Sequence, residues 1–241
     1  MNKEIKTFAT PDALAAAAAD FFLSLSQQAI KEKGSFFVAL SGGSTPKRLF
    51  KILSSEPYKS TIDWNSCFIF FGDERYVPHD HPDSNYHTAK ETLLDHVSCP
   101  ATNIFPVNTG GIDANKDAAE YEKTILAQLG TPPAFDLIYL GLGPDGHTAS
   151  LFPDTSALQE DKKQVVAVYV DKLSSWRITF TYPLLNAARH VMFLVEGEAK
   201  AQILNEILVD ENRIHPAQRV TARQVLHWYL DEQAASKLKT I

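Results

Sequence analysis

Short apolar runs alternate with segments of helical periodicity along most of the chain. Runs at 35–40, 67–71 and 137–140 are bounded by glycine, polar or acidic residues, which is typical of buried parallel strands. Apolar residues recur every three or four positions from Pro11 to about Lys33, and again over 113–129. This alternation predicts an α/β fold, a Rossmann-like open and largely parallel sheet with helices on both faces.

The second half of the chain continues the alternation. Strands are expected at 165–170, 176–181 and 191–195, where β-branched and aromatic residues are frequent. The remaining segments are a short helix at 183–188, a helix at 197–209, a run at 225–230 that fits either a strand or a helix, and a closing helix at 231–238. No repeat, low-complexity linker or shift in composition divides the sequence, so we expect one domain over residues 1–241.

Composition limits the classes of partner. The 241 residues are 44% hydrophobic and 22% charged, which suffices for a sizeable core. The formal net charge of -6 argues against a nucleic-acid partner, because binding to the phosphate backbone needs clustered Lys and Arg. The N-terminal alanine run is too short for a signal peptide, and no segment approaches ~18 apolar residues. We expect a cytoplasmic protein with no membrane partner.

The sequence does not favour a metal site. Cys67 and Cys99 are isolated and fit structural thiols. The loop after the second strand holds His79, Asp80, His81 and Asp83. These residues fit either a metal cluster or a solvated loop rich in turn formers. Since alternating His and Asp in a flexible loop do not fix a coordination geometry, no metal is predicted.

A glycine turn follows the strand at 35–40. Thr45 suits a helix N-cap, and Pro46 suits the first helical position. Gly42 and Gly43 let backbone N–H groups approach a ligand, and a helix N-terminus attracts anions. The pattern fits a phosphate cradle, and it fits an ordinary strand-to-helix turn equally well.

Lys200 lies in the first turn of the helix expected at 197–209. A positive side chain is electrostatically unfavourable at a helix N-terminus. It indicates either a bound anion nearby or a solvated surface lysine, and the local sequence does not separate the two.

The stretch 136–153 carries the strongest chemical signal. Its strand ends in three glycines interleaved with Asp145 and His147, which delivers an acid and an imidazole to the carboxyl edge of the sheet. The same stretch satisfies G-x-G-x-x-G. However, Pro144 lies inside that motif and Pro153 interrupts the segment after it, so the sustained helix of a dinucleotide site is absent and no nucleotide cofactor is predicted.

Four motifs in order carry a family resemblance. They are Ser41-Gly-Gly-Ser-Thr-Pro46, Asp73-Glu-Arg75 followed by Ser84-Asn85, Gly141-Leu-Gly-Pro-Asp-Gly-His-Thr-Ala-Ser-Leu-Phe-Pro153, and Arg177-Ile-Thr179 followed by Asn186. With these motifs the chain resembles the glucosamine-6-phosphate isomerase/6-phosphogluconolactonase family, and within it the 6-phosphogluconolactonases. The resemblance covers about residue 40 to residue 235.

The resemblance implies a glucosamine-6-phosphate deaminase-like fold, hydrolysis of the small phosphosugar lactone 6-phospho-D-glucono-1,5-lactone in the oxidative pentose phosphate pathway, and no cofactor. It implies catalytic roles for His147 as general base and for Asp145 and Asp73 as acids of the site. The residues that it places on the substrate or its phosphate are Gly42, Gly43, Ser44, Thr45, Arg75, Arg177 and Lys200.

An imidazole after a glycine-rich strand end can take a proton from water near neutral pH. Asp145 could hold the ring tautomer or only shape the turn. Ser150 lacks the G-x-S-x-G setting of a nucleophile, so direct attack by water is the simpler hypothesis.

Two rival functions remain open at this point. A glucosamine-6-phosphate deaminase/isomerase is disfavoured because that relative has a tyrosine where Arg75 stands. A noncatalytic sugar-phosphate sensor is disfavoured because Asp145 and His147 are both present.

Overall fold

The computed structural model describes residues 2–209 and 215–238. Its strands are β1 (Asn2–Phe8), β2 (Phe36–Leu40), β3 (Cys67–Phe71), β4 (Asp73–Arg75), β5 (Leu137–Leu140), β6 (Val165–Val170), β7 (Ser175–Phe180), β8 (His190–Val195) and β9 (Val225–Asp231). Its α-helices are α1 (Pro11–Lys33), α2 (Ser44–Leu53), α3 (Tyr58–Thr61), α4 (Asn85–Ala89), α5 (Ala114–Leu129), α6 (Tyr182–Ala187) and α7 (Ala201–Val209).

Six strands form the central sheet, in the order β1-β9-β8-β5-β2-β3. All neighbouring pairs run parallel. Strand β5 is buried at all four positions, and β8 at all but its first, so both faces of the sheet are covered there. Parallel sheets have this double burial because crossover helices cover their faces. The predicted Rossmann-like sheet is confirmed.

A second sheet was not anticipated from the sequence. Strands β4, β7 and β6 form a three-stranded antiparallel sheet. Strands β6 and β7 are joined by only 171–174, and so short a connection cannot carry a chain back to a parallel start. The two strands therefore pair antiparallel, and they do so in a sheet separate from the main one. Phe180 of β7 packs on Phe135 with ring centroids 5.3 Å apart, which joins the second sheet to the common core.

One edge of the main sheet, formed by β1 and β9, corrects the sequence predictions. Strand β1 was missed because its residues are largely exposed or half-buried and include three charged side chains, so it lacks a clean apolar pattern. It pairs with β9, which resolves the ambiguous run at 225–230 as a strand. The closing helix predicted at 231–238 is wrong. That segment is a series of turns, and the buried Asp231 carboxylate accepts hydrogen bonds from the backbone N–H groups of Ala234 and Gly197.

Helix α1 has the predicted bounds. The Thr10 hydroxyl accepts a hydrogen bond from Ala13 N, and Gly34 ends the helix in the left-handed region at φ 78. By length and composition alone α1 could cross a membrane, which the sequence pattern had not indicated. One side of the helix is buried in the protein, including Leu14, Ala18 and Phe22, so the apolar composition also fits a core helix.

Two histidines, the buried His227 and the half-buried His190, connect the main sheet to α1. His227 Nδ1 lies 2.8 Å from Glu4 Oε2, and His227 Nε2 lies 3.1 Å from His190 Nδ1. The Phe21 ring of α1 packs on both imidazoles. Burial lowers the pKa of both histidines below 6.5, against the opposing effect of Glu4 on His227. These two histidines therefore bind protons more readily in the unfolded chain than in the folded protein. The free energy of unfolding that they allow above pH 6.5 decreases as the pH falls through that value.

We expect His190→Asn to weaken this pH dependence, because one titrating group is removed while an amide donor to His227 remains. The free energy of unfolding, measured by urea denaturation from about pH 7 to about pH 5, should fall less than in the parent protein. The exposed His96→Asn serves as the control. An identical fall in all three proteins would contradict the assignment.

Candidate active site

A cleft lies at the carboxyl edge of the main sheet and has two adjoining lobes. The smaller, about 240 Å³, is bordered by Asp73, Arg75 and His147. The larger, about 460 Å³, is bordered by the start of α2 and by 194–197. The residues that border both lobes are Gly42, Gly141, Leu142 and Lys200. This is the edge at which open α/β sheets place their ligands.

His147 is presented by a tight turn after β5. Gly143 N donates to His147 O at 2.8 Å and Gly146 N donates to Gly143 O at 3.1 Å, with Gly146 in the left-handed region at φ 75. Gly143 is required by close approach, because a Cβ there would lie 1.9 Å from His147 Nδ1. These glycines space the turn beneath the imidazole.

Asp145 holds the His147 ring. Its Oδ1 lies 2.5 Å from His147 Nδ1, and its Oδ2 accepts from the Lys172 ammonium. Burial would raise the pKa of Asp145, but the Lys172 and His147 hydrogen bonds hold it well below its ordinary 3.8. A carboxylate on Nδ1 favours the tautomer with the proton there, which leaves the lone pair on Nε2. Nε2 makes no hydrogen bond to any residue described here.

The His147 imidazole is partly buried and stacks on Phe152, with centroids 3.9 Å apart and planes inclined by 30°. Burial is the main influence on the ring and lowers its pKa below 6.5, while the Asp145 carboxylate opposes the shift. The ring is thereby oriented by a carboxylate and still favours the neutral form near pH 7, as a general base must.

Asp73 reaches the cleft because the chain turns from one sheet to the other at Gly72. Gly72 N donates to Leu40 O of β2, and Gly72 O accepts from Phe180 N of β7. The Asp73 side chain is buried; its Oδ2 accepts from the Ser150 hydroxyl at 2.7 Å and its Oδ1 from Asn85 Nδ2 at 3.2 Å. Both oxygens thus already have protein donors.

Glu74 fixes the segment between Asp73 and Arg75. It is fully buried, and its carboxylate accepts from the backbone N–H groups of Arg75, Asn85 and Tyr86 and from the Ser84 hydroxyl. Burial raises the pKa of Glu74, and these donors oppose the rise. A buried carboxylate is stable only when its lone pairs are satisfied in this way.

Arg75 and Arg177 lie opposite each other in the antiparallel β4–β7 pair. Arg75 borders the smaller lobe and donates from Nη1 to Asp83 O at 2.6 Å. Arg177 borders neither lobe, and its buried Nε has no hydrogen-bond partner among the described residues. Burial and the Arg75 charge lower the pKa of Arg177. The structure therefore brings Arg75 to the border of the cleft, whereas Arg177 borders neither lobe.

The start of α2 corrects the predicted cap. Gly43, at φ 109, is the N-cap and provides no side-chain hydrogen bond, so Thr45 and Pro46 lie inside the first turn. Residues 43–45 border the larger lobe. No side chain caps the backbone N–H groups at this helix start. These N–H groups can therefore bind an anion in the larger lobe.

Lys200 lies in a 3₁₀ turn, Glu198–Lys200, just before α7. It borders both lobes and forms no hydrogen bond or ion pair with the residues described. Burial lowers its pKa, while the Asp145 charge opposes the change. A partly buried ammonium between the two lobes is well placed to meet an anionic ligand.

The loop of alternating His and Asp borders neither lobe of the cleft. His79 Nε2 lies 2.7 Å from Val107 O, and the ring packs against Tyr86. Within residues 2–209 and 215–238, no group of three or more His, Cys, Asp or Glu side chains is arranged to hold a metal ion.

Sequence reasoning missed several contacts of the site. From the sequence Ser150 was a candidate only for a nucleophile, whereas in the structure its hydroxyl donates a hydrogen bond to Asp73 Oδ2. Sequence reasoning did not single out Phe152, which stacks on His147, or Lys172, which contacts Asp145. The partners in two of these contacts are 77 and 27 residues apart, so no local pattern could have indicated them.

A parallel sheet with glycine turns, an imidazole–carboxylate pair and cationic side chains at its carboxyl edge defines a Rossmann-like α/β protein with a site for a small anionic molecule. The sequence model of the family described as glucosamine-6-phosphate isomerases/6-phosphogluconolactonase matches residues 9–228. The chain belongs to this family.

Named relatives agree with the match. The chain is 43% identical to a 6-phosphogluconolactonase of Synechocystis sp. over 88% of each protein, and 38% identical to one of Nostoc sp. over 99% of each. The solved structure of 6-phosphogluconolactonase from Trypanosoma cruzi superposes with a TM-score of 0.89 at 32% identity, covering 100% of this chain and 99% of that one. The predicted family and fold are confirmed.

The His147 imidazole should titrate below its ordinary value of 6.5, because burial outweighs the nearby carboxylate. NMR titration of the ring, assigned by its loss in His147→Gln, measures this directly. In Asp145→Asn the midpoint should fall further, since the charge that favours protonation is gone. A midpoint above 6.5 in the parent would show that Asp145 dominates instead.

Proposed function

We infer that the protein hydrolyses 6-phospho-D-glucono-1,5-lactone to 6-phospho-D-gluconate, a step of the oxidative pentose phosphate pathway. Family membership and the names of the relatives support this activity. The observation that carries the mechanism is the His147 imidazole, which borders the cleft with Asp145 on Nδ1 and no described partner on Nε2.

In the proposed reaction, Nε2 of His147 accepts a proton from a water molecule as the water oxygen bonds to the lactone carbonyl carbon. The resulting tetrahedral intermediate collapses, and the bond from that carbon to the ring oxygen breaks. The proton on Nε2 passes to the departing ring oxygen, which becomes a hydroxyl group. The new carboxylic acid then ionises, and His147 is neutral again for the next cycle.

Asp145 acts through His147 in this proposal. It holds the ring with Nε2 directed at the reacting water and stabilises the imidazolium that forms between the two proton transfers. Asp73 is a weaker candidate for proton transfer, because both its oxygens already accept hydrogen bonds. We assign it to the binding of substrate hydroxyl groups in the smaller lobe.

The phosphate end of the substrate is assigned to the junction of the two lobes. Gly42 and Lys200 border both lobes, residues 43–45 border the larger lobe, and Arg75 borders the smaller. A phosphate there would meet N–H groups of the α2 start and two cations. Arg177 would act at longer range, as a second positive charge beside Arg75.

The mechanism calls for no redox group, and the absence of a cofactor or metal stays a prediction. A single domain, a cytoplasmic location and the absence of nucleic-acid and membrane partners also remain predictions. No described contact favours a deaminase or a noncatalytic sensor over the lactonase, so both rivals are kept only as outcomes of the assay.

Freshly prepared 6-phosphogluconolactone should be hydrolysed with release of acid, and His147→Ala should lower kcat by about 10²–10⁴, the usual contribution of a general base. KM should change little, because His147 is not assigned to the phosphate. The pH profile of kcat/KM should lose activity on its acid side below 6.5, where the ring becomes protonated.

The exposed His96→Ala is the matched control and should keep parental activity. Unchanged kcat in His147→Ala would remove His147 as the base. Ammonia release from glucosamine 6-phosphate would favour the deaminase, binding without turnover would favour a sensor, and loss of activity with a chelator would reopen the metal hypothesis at His79 and His81.

Arg75→Ala should chiefly raise KM, by roughly tenfold or more, because it removes a charged contact to the phosphate in ground and transition states alike. Arg75→Lys should recover part of the loss, since it keeps the charge but not the planar fork. Steady-state kinetics beside the exposed Arg223→Ala provide the comparison. A parental KM in Arg75→Ala would contradict the phosphate assignment.

A further inference from the structure

The hairpin formed by β6 and β7 carries a lysine into contact with the site. Residues 171–174 form its tip, and Ser174 adopts the left-handed conformation at φ 45. From this tip the Lys172 ammonium reaches Asp145 Oδ2. It also lies 4.5 Å from the centroid of the Phe152 ring. Lys172 thus touches both side chains that hold the His147 imidazole.

We propose that Lys172 is a positioning residue of the reaction, which fixes the Asp145 carboxylate and through it the catalytic ring of His147. The inference rests on the proposed lactonase function for its kinetic consequences. Lys172 does not border either lobe of the cleft, so it acts through Asp145 and Phe152 and not by contact with the substrate.

The geometry of Asp145 explains why a second partner matters. Its Oδ1 is committed to His147, through Nδ1 at 2.5 Å and the backbone N at 3.3 Å. Without Lys172, Oδ2 would have no described protein partner. A carboxylate held at both oxygens cannot rotate about its Cβ–Cγ bond, so the direction of the His147 ring is fixed as well.

The hairpin that carries Lys172 is itself anchored to the site. Strand β7 pairs with β4, which bears Asp73 and Arg75. The Thr179 hydroxyl of β7 accepts from Ser150 N at 3.1 Å, three residues after His147. Since β6 and β7 pair over six residues each, the hairpin does not need the Lys172 side chain in order to form.

Charge gives Lys172 a second effect that a purely structural lysine would lack. Asp145 and Asp73 favour protonation of His147, whereas Lys172 opposes it. Lys200 also interacts with Asp145. Loss of the Lys172 charge should therefore make His147 easier to protonate, in addition to loosening its orientation.

The test compares Lys172→Met with Lys172→Arg, and with Leu173→Ala as the control on the same hairpin tip. Lys172→Met should lower kcat by about tenfold with little change in KM, since misplacing a catalytic group by less than an ångström is enough for such a loss. The acid limb of the pH profile and the NMR midpoint of His147 should both move to higher pH. Lys172→Arg should restore most of the activity, and Leu173→Ala should behave as the parent.

A double-mutant cycle separates action through Asp145 from direct contact with the substrate. In the Asp145→Asn background, Lys172→Met should change kcat by less than about twofold. Additive losses, or an effect confined to KM, would overturn the proposal, as would parental kinetics with an unmoved His147 midpoint. If the parent protein shows no lactonase activity, the proposed function fails, whereas the NMR titrations of His147 still decide this inference.

Discussion

The parallel pairing of β2 with β3 on one side and β5 on the other is the constraint on which the site depends. All three strands end at the same edge of the sheet, so the segments after them must meet there. Those segments are the glycine turn at 41–43, the corner at Gly72 and the turn that presents His147. The strands are four or five residues long and almost entirely buried, which leaves little freedom for another register. Core packing thereby fixes the relative positions of groups that lie far apart in sequence.

The corner at Gly72 brings Asp73 and Arg75 to the cleft on a strand of the second sheet. Its hydrogen bonds to β2 and β7 let the chain leave the main sheet and enter the antiparallel one within one residue. Asp73 and Arg75 consequently project beside the cleft on a strand whose neighbour is β7. The fully buried carboxylate of Glu74 secures this arrangement, because it joins β4 to the first turn of α4 through the N–H groups of Asn85 and Tyr86. A protein with a formal net charge of -6 can hold cations for an anionic ligand only by such local placement.

Sequence reasoning succeeded where a local pattern carried the structure. The buried strands β2, β3 and β5 and helix α1 have strong apolar patterns with clear boundaries, and the chemical residues stand directly after those strands. It failed where structure depends on distant partners. Strand β1 has no apolar face of its own and exists because β9 provides its hydrogen bonds. The segment after β9 forms turns, and the Asp231 carboxylate accepts from both Gly197 N, 34 residues away, and Ala234 N. The pairing of Arg177 with Arg75 belongs to the second sheet, which no periodicity in the sequence predicted.

Lys172 of the hairpin opposes an unfavourable effect of Asp145 on the pKa of His147. A carboxylate that orients a histidine also favours the protonated ring, and a protonated ring cannot accept a proton from water. Burial of His147 offsets that effect in part, and the charge of Lys172 acts in the same direction. Asp145 can therefore serve as an anchor without making the base too basic, because much of its charge is compensated at its other oxygen. Asp145 therefore contributes to both properties. With Phe152 and Lys172 it orients the ring, and with burial and the Lys172 charge it sets the basicity of the ring.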